Sequence, residues 1–388
     1  MSVSGPRAYY PRLRLGPLAS AALFLYLVAA PAAALETIAK QAILMDAETG
    51  TVLLEKNADD TMPPSSMSKL MTVYMVFERL KSGSLTLDDE FPVSKKAWRK
   101  GGSKMYVLVG KSVRVEDLLR GVIVQSGNDA SIVVAEGLSG TEEAFATEMT
   151  KKGQDIGLKN SVFRNASGWP EEGHYMTSRD IAILSQRTIA DFPDYYHYYA
   201  EKSFTFSGIR QGNRNPLIYR NMGADGLKTG HTEAGGYGLA ASVIRDGRRL
   251  ILVVNGIESA QSRANESQRL IEWGFREFAN FALFRAGETV DEANVWLGTE
   301  AKVPLILDKD LVLTLPRRAR RTAKVKVVYT APIPAPIPDG AEIAKLVITA
   351  PGLDDLVVPL KAGAEVPRLS FLGRISASIQ YLLWGGRR

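Results

Sequence analysis

The 388-residue chain contains no cysteine, which excludes disulfides, thiolate nucleophiles and cysteine-ligated zinc or iron–sulfur centres. Histidine is nearly absent too. His174, His197 and His231 are scattered, so a histidine-rich metal site is not expected, and no metal or cofactor is predicted. Charge of one sign is not in excess. The formal charge of +6 falls to +3 once Arg7, Arg12 and Arg14 are removed with residues 1–34, which hold no acid. A balance this small does not argue for nucleic-acid binding. Long apolar runs are missing as well. The longest, residues 15–30, falls short of the ~20 residues of a membrane-spanning helix.

That run follows basic residues and precedes Ala32-Ala33-Ala34, the composition of a secretory signal ending near a small-residue cleavage site. Residues 1–34 are therefore read as an export signal, with an uncleaved anchor as the alternative; export is implied either way.

The chain is organised around residues 63–80, PPSSMSKLMTVYMVFERL. Two prolines lead in, Ser65 or Ser66 is expected to cap the first free N–H groups, and the body is apolar on nearly every face, so a buried helix is predicted. Gly83 ends it. Ser66 and Lys69, three residues apart, share a face of that helix. A serine needs a neighbour to take its proton before it attacks. A lysine in a low-dielectric site at a helix N-terminus has its charged form disfavoured by desolvation and by the dipole. The pair suits an activated serine without histidine, although S-x-x-K is short enough to occur by accident of composition.

Two more polar stretches interrupt apolar ones. Ser126-Gly127-Asn128 lies in VIVQSGNDASIVVAEGL, on a connector between buried helices, where its polar groups need partners or a cleft; a plain turn and cap is the alternative. Lys228-Thr229-Gly230-His231 precedes a legible antiparallel hairpin: a strand over 237–244, the turn Asp246-Gly247 and a return over 249–255. Lys228 offers a positive charge, Thr229 a hydroxyl and Gly230 room for a ligand backbone, a set suited to a carboxylate.

Elsewhere, strands over 41–46 and 51–56 form an N-terminal hairpin, residues 94–104 form a loop rich in Lys, Gly and Ser, and the aromatic run Tyr195, Tyr196, Tyr198 and Tyr199 is read as packing. A helix over 265–278 closes this region. From about Arg285 short β-like runs (302–307, 311–315, 324–329, 343–349 and 356–360) alternate with turn residues, with an extended loop at Pro332, Pro334, Pro336 and Pro338 and an exposed basic run at 317–321. Over 368–388, Phe371, Leu372, Ile375, Ile379, Leu382 and Leu383 fall on one arc of a helix with Arg374 and Ser378 opposite, which suits lying in a membrane interface, a helix docked on the protein being the alternative.

S-x-x-K, S-x-N and K-T-G in that order, in one exported chain, resemble the penicillin-binding proteins and serine β-lactamases. The longer strings PSSMSKLMT, QSGNDAS, FSGIRQGNRN, DGLKTGHTEAGGYGLAAS and ESQRLIEWGF are similar to the low-molecular-mass serine-type D-alanyl-D-alanine carboxypeptidases. The resemblance covers nearly the whole chain and implies an α/β (α+β) fold. A penicillin-recognising serine hydrolase domain with an antiparallel sheet flanked by helices is expected over 35–284. A small all-β domain follows over 285–366, then an amphipathic membrane-anchor helix over 367–388.

The resemblance also implies roles. Ser66 is the nucleophile, Lys69 the base and Ser126 a proton relay. Asn128 contacts substrate or the Lys69 network, Lys228 and Thr229 bind the terminal carboxylate, and the N–H groups of Ser66 and His231 form the oxyanion hole. Arg210 and Arg263 assist near the carboxylate. The implied substrate is a peptidoglycan stem pentapeptide, the inhibitors β-lactams, and the location the periplasmic outer face of the cytoplasmic membrane. Two departures stand out. Ser65 replaces a frequent alanine beside Ser66, and Trp169 stands where leucine is usual. A β-lactamase, a D,D-endopeptidase and a non-catalytic wall-binding scaffold are the alternatives. The first lacks here its E-x-x-x-N glutamate, the second usually lacks a second domain, and the third has no need of four such polar residues.

Overall fold

The computed structural model describes residues 35–350 and 355–375. The export signal expected over 1–34 and most of the helix expected over 367–388 lie outside the described residues.

The larger region is built on a five-stranded antiparallel sheet of order β2-β1-β9-β8-β7. Its first strands are β1 (Gln41–Asp46) and β2 (Val52–Lys56). The others are β7 (Ala224–Thr232), β8 (Gly236–Arg245) and β9 (Arg248–Ile257). The β8–β9 turn is the expected Asp246-Gly247, both with positive φ, which matches the twist of the strands it joins. Between β2 and β7 the chain makes two short ribbons, β3 (Glu90–Pro92) with β4 (Ser112–Arg114) and β5 (Ser203–Phe206) with β6 (Ile209–Gly212).

The helices are α1 (Lys69–Ser82), α2 (Lys95–Arg99), α3 (Val115–Ile123), α4 (Asn128–Ser139), α5 (Glu142–Asp155), α6 (Ser178–Asp191) and α7 (Ala260–Glu277). Strand alternation divides them between the two faces of the sheet. Ile43, Met45, Ile251 and Val253 point into one core with α1 and α6, whereas Leu44 and Leu250 close on Gly274 of α7. Covered on both faces, β1, β8 and β9 are buried almost throughout. Helix α1 packs on α3, α4, α5 and α6, which accounts for its apolar character all round. The aromatic run packs against it as expected: Tyr195 stacks on Phe77 at 5.6 Å and Tyr199 meets the same ring edge-on at 6.3 Å.

Two local expectations fail. The segment 94–104, expected as a loop, begins with α2, because the Ser94 hydroxyl accepts the Ala97 N–H at 3.0 Å and caps it. Residues Ser65–Ser68 form a 3-10 turn ahead of α1, and no serine side chain caps either element. The three hydroxyls bond elsewhere: Ser65 to Thr232, Ser66 to Lys69 and Ser68 to His174. Gly83, with φ 74°, ends α1 as expected.

The β-rich region contains β10 (Phe278–Phe284), β11 (Thr289–Trp296), β12 (Lys302–Ile306), β13 (Leu311–Pro316), β14 (Lys324–Val328), β15 (Ile333–Pro334), β16 (Glu342–Thr349) and β17 (Leu356–Ala362). They form a β10–β13 ribbon and a six-stranded sheet of order β14-β16-β17-β12-β11-β15. Its strands begin at Phe278, ahead of the change of texture expected near Arg285, because α7 passes into β10 with no Gly or Pro to mark the joint. The proline-rich loop contributes β15. Its prolines face outward, and Ile333, Ala335 and Ile337 alternate into the core. The basic run is exposed but anchored: Arg317 donates to the carbonyls of Phe275 and Arg276, and Arg320 lies over the Phe281 ring. Residues 371–375 start a helical turn with Phe371 and Leu372 facing solvent at 68% and 77% exposure. Among the described residues no helix is long and apolar enough to cross a membrane.

Candidate active site

Four separate segments meet around the start of α1. The 65–68 turn supplies Ser66, half-buried, and α1 begins with Lys69, fully buried. The Lys69 Nζ lies 2.9 Å from Ser66 Oγ, 2.8 Å from Asn128 Oδ1 and 2.6 Å from the Ser167 carbonyl. This geometry has a chemical consequence. Two carbonyl-type oxygens accept two N–H bonds, and in a neutral amine the remaining lone pair faces the serine hydroxyl. Burial pushes the Lys69 pKa down to about 7, and the nearby charge of Arg214 adds to the effect against the opposing pull of Asp129 and Glu142. At neutral pH a large fraction of this amine is free to take a proton.

Of the two adjacent serines, Ser66 faces Lys69. Ser65 is 2% exposed, sits at φ 51° and bonds Thr232 Oγ1 at 3.4 Å. Gly168 makes that packing possible. At φ 72°, it would carry a Cβ 1.8 Å from the Ser65 carbonyl oxygen, so no side chain fits between the 165–169 loop and the turn. Gly230 has a similar role, and here the expectation needs correcting. A Cβ on Gly230 would come within 3.0 Å of Ser65 Cβ and 3.2 Å of the Pro64 carbonyl oxygen. Its small size thus serves the approach of β7 to the serine turn of the protein itself.

Strand β7 is the edge of the sheet, so its outer N–H and C=O groups have no ladder partner among the described residues. It brings Lys228 and Thr229, both buried, to the site. Lys228 Nζ has a long bond to the Thr229 carbonyl at 3.3 Å, and its pKa falls well below the usual lysine range through burial, then through the charges of Lys69, Arg214 and Arg263. Crowded, underbonded cations of this kind suit an anion. The His231 ring is exposed and tilts against Tyr237 at 4.0 Å.

Ser126 is buried at φ 66°, a costly backbone for a serine that marks a constrained position. Asn128 opens α4 and is committed on both sides: its oxygen to Lys69 and its amide to the Gly101 carbonyl at 2.9 Å. Of the two contacts open to it from sequence, the geometry supplies the Lys69 network. Arg263 is buried against Tyr237, bonds the Gly238 carbonyl at 3.4 Å and has no partner for its Nε among the described residues.

Sequence reading misses several contributors. Arg214, in the same string as Arg210, acts by its charge on both lysines; Arg210 instead bonds the Ser203 hydroxyl on the β5–β6 ribbon. Asp129 is buried and accepts the N–H groups of Met105, Tyr106, Val107 and Ala130, which secures the 101–110 segment beside the site. His174 accepts the Arg164 N–H on Nδ1 at 3.3 Å, so Nε2 carries the proton and donates to Ser68 Oγ at 2.9 Å. Burial holds the His174 pKa down to about 4, so it stays neutral. Asp129 alone carries a signal, as a polar residue at the head of the apolar run 130–135; Arg214 and His174 stand in polar strings that carry none.

Comparison with known proteins gives the family. Residues 28–259 match the family described as D-alanyl-D-alanine carboxypeptidase. The chain belongs to the D-alanyl-D-alanine carboxypeptidase family. Residues 278–368 match the C-terminal domain of penicillin-binding protein 5. The D-alanyl-D-alanine carboxypeptidase DacC of Escherichia coli K12 is 37% identical over 373 residues, covering 92% of this chain and 93% of that one. The corresponding DacA is 36% identical over 358 residues, covering 90% and 89%. Penicillin-binding protein 5 of Haemophilus influenzae has a crystal structure that superposes with a TM-score of 0.80 at 36% identity, covering 86% of this chain and 98% of that one. Carboxypeptidase-family membership confirms the expected fold class, a helix-flanked antiparallel sheet with a β-rich second region.

Proposed function

We propose that the chain is a serine-type carboxypeptidase that removes the terminal D-alanine from peptidoglycan stem pentapeptides through an acyl-enzyme on Ser66. The observation that carries this reading is the buried Lys69 amine, with a pKa of about 7, lying 2.9 Å from Ser66 Oγ. The substrate's terminal carboxylate binds Lys228 and Thr229. Lys69 takes the Ser66 hydroxyl proton as Oγ attacks the carbonyl between the two D-alanines. The backbone N–H groups of Ser66 and His231 receive the oxyanion. Ser126 relays the proton to the departing nitrogen, the C–N bond breaks and D-alanine leaves. Water then attacks the ester, giving its proton to Lys69 and restoring Ser66. Arg263 and Arg214 add positive potential on the carboxylate side. A β-lactam amide acylates Ser66 by the same first step.

The family acts on the cell wall, outside the cytoplasm, and the proposed role is peptidoglycan maturation and maintenance of cell shape. Residues 1–34 would direct export, and a helix over 368–388 would hold the protein on the periplasmic face of the membrane. The exposed Phe371 and Leu372 support that anchor. A chain ending at Pro367 is expected in the soluble fraction; if it still pellets with membranes, the anchor assignment fails.

The central test measures free D-alanine from a peptide ending in Lys-D-Ala-D-Ala, with Ser66→Ala in parallel. Release by the wild type and a loss of at least about 10⁴-fold in the variant are expected. Equal release by both would remove Ser66 from the mechanism.

A further inference from the structure

The basic run between β13 and β14 takes no part in the site at Ser66. Residues 317–326 hold six cations and no acid. A loose run of this kind would simply be solvated, but this one is fixed in place. The Arg317 N–H donates to the Glu277 carbonyl at 2.8 Å, and its guanidinium to the carbonyls of Phe275 and Arg276. Ala319 is buried, and Ala319–Arg321 form a 3-10 turn at which Arg318, Arg320 and Arg321 are exposed. Arg320 is steadied over the Phe281 ring at 4.9 Å. The ion pairs of the β-rich region among the described residues join Lys302 to Glu292 and Lys361 to Asp308, which leaves the three arginines without an acid. The turn leads into β14, where Lys326 and Val328 share a face of the sheet with Lys345 and Val357. That face is open: both lysines are exposed, and each valine is 52% exposed. The patch lies at the β14 edge of the six-stranded sheet. The chain leaves towards residue 375 at the other edge, where the Leu369 N–H donates to the Leu297 carbonyl just past β11.

We propose that Arg318, Arg320 and Arg321, with Lys326 and Lys345, form a docking surface for the wall polymer, and that it engages carboxylates on stem peptides other than the one being cleaved. This rests on the carboxypeptidase reading, in which each free stem ends in a carboxylate and a strand is therefore a polyanion. Guanidinium groups suit that partner, because each can hold a carboxylate through two N–H bonds. The patch offers arginine, lysine and valine, whereas the centre of a protein interface is rich in aromatic residues and poor in charge. An anionic membrane surface would be met at the opposite edge of the sheet, where the proposed anchor helix begins. Docking raises the local concentration of stems around Ser66 and leaves the chemistry there unaltered.

Binding is read by co-sedimentation of the full chain, in mild detergent, with insoluble peptidoglycan, using Ser66→Ala so that the polymer is not consumed. Combining Arg318→Gln, Arg320→Gln and Arg321→Gln should raise the apparent Kd about tenfold. Amidation of the polymer's carboxylates should do the same, and added salt should shrink both differences. With Ser66 intact, the triple variant should lower kcat/KM for D-alanine release from the polymer by a similar factor. A short peptide ending in D-Ala-D-Ala should stay within about twofold. Acylation of Ser66 by labelled penicillin checks that the variant is folded. Unchanged sedimentation of the triple variant, or an equal loss on polymer and short peptide, overturns the docking surface. Weaker binding to vesicles of anionic lipid with sedimentation on the polymer unchanged also overturns it and assigns the patch to the membrane. No D-alanine release from either substrate overturns the carboxypeptidase reading, and sedimentation of the Ser66→Ala chain still decides the docking surface by itself.

Discussion

The two regions of this chain bury polar groups in opposite ways. The region up to α7 buries Lys69, Lys228, Asp46, Asp129, Asp180, Glu142, Glu266 and Arg263, whereas among the described residues of the β-rich region Thr314 alone is a buried polar side chain. Burying a charge is costly unless it is paired or hydrogen-bonded, so its distribution is informative. The buried acids are brackets. Asp129 takes four backbone N–H groups, Asp180 those of Lys159 and Asn160 with the Ser161 hydroxyl, and Asp46 those of Glu48 and Thr49. The buried lysines are different. Lys69 and Lys228 have no acid within ion-pairing distance among the described residues, and both have lowered pKa values. Acids buried by bonding hold loops in place; lysines buried without counter-ions fit the proposed chemistry. The β-rich region, with neither, reads as a scaffold with an apolar core of Val303, Leu305, Leu346 and Leu360.

The sharpest way to break this contrast is to remove one lysine from each region. Lys69→Met should slow acylation of Ser66 by labelled penicillin by roughly 10³-fold, the range of a lost general base. Lys324→Met, on the exposed β14, should leave the rate within about twofold. Comparable losses in the two variants would show that buried and exposed lysines are not functionally distinct here.

A smaller effect tests the scaffold. Leu346 is fully buried in the β-rich core, and Leu346→Ala should cost about 3 kcal/mol in denaturant unfolding of the full chain. Acylation of Ser66 should persist below the transition. Loss of acylation under native conditions would mean that the two regions do not hold their structures separately.

The smallest effect concerns proton balance. Lys69 must be neutral to act as a base, so the acylation rate should climb as pH rises through about 7. Arg214→Ala removes a positive neighbour, raising the Lys69 pKa towards its ordinary value and moving that limb to higher pH. A limb that stays in place would show that burial alone sets the amine. The same shift bears on stability. The folded pKa lies below the unfolded one, so the unfolded chain binds more protons between about pH 7 and 10.5, and the Lys69 contribution favours folding more as pH rises through that window.

Much of the architecture is legible in the residue pattern. The Asp246-Gly247 turn between alternating apolar runs locates β8 and β9 within a few residues, because turn chemistry and period-two patterning are local signals. Helix α1 is equally clear from its unbroken apolar body and Gly83. The first turn of that helix is not, since the serines suited to capping are drawn to Thr232, Lys69 and His174. Strand β10 is hidden because no breaker separates it from α7. Arg214 cannot be told from Arg210 by pattern, because two arginines in one string differ only in where the β5–β6 ribbon sends them.

By itself the sequence determined the kind of elements, their order and the residue types available for chemistry: a serine three positions before a lysine, a polar connector and a Lys-Thr-Gly strand. Tertiary structure alone decided what draws Ser65 away from the lysine, how far the amine's pKa falls and which arginine acts on it. Those properties depend on desolvation and on charges contributed by segments far apart in the chain, such as Asn128, Ser167 and Arg214 around Lys69, and no local pattern encodes a distance between them.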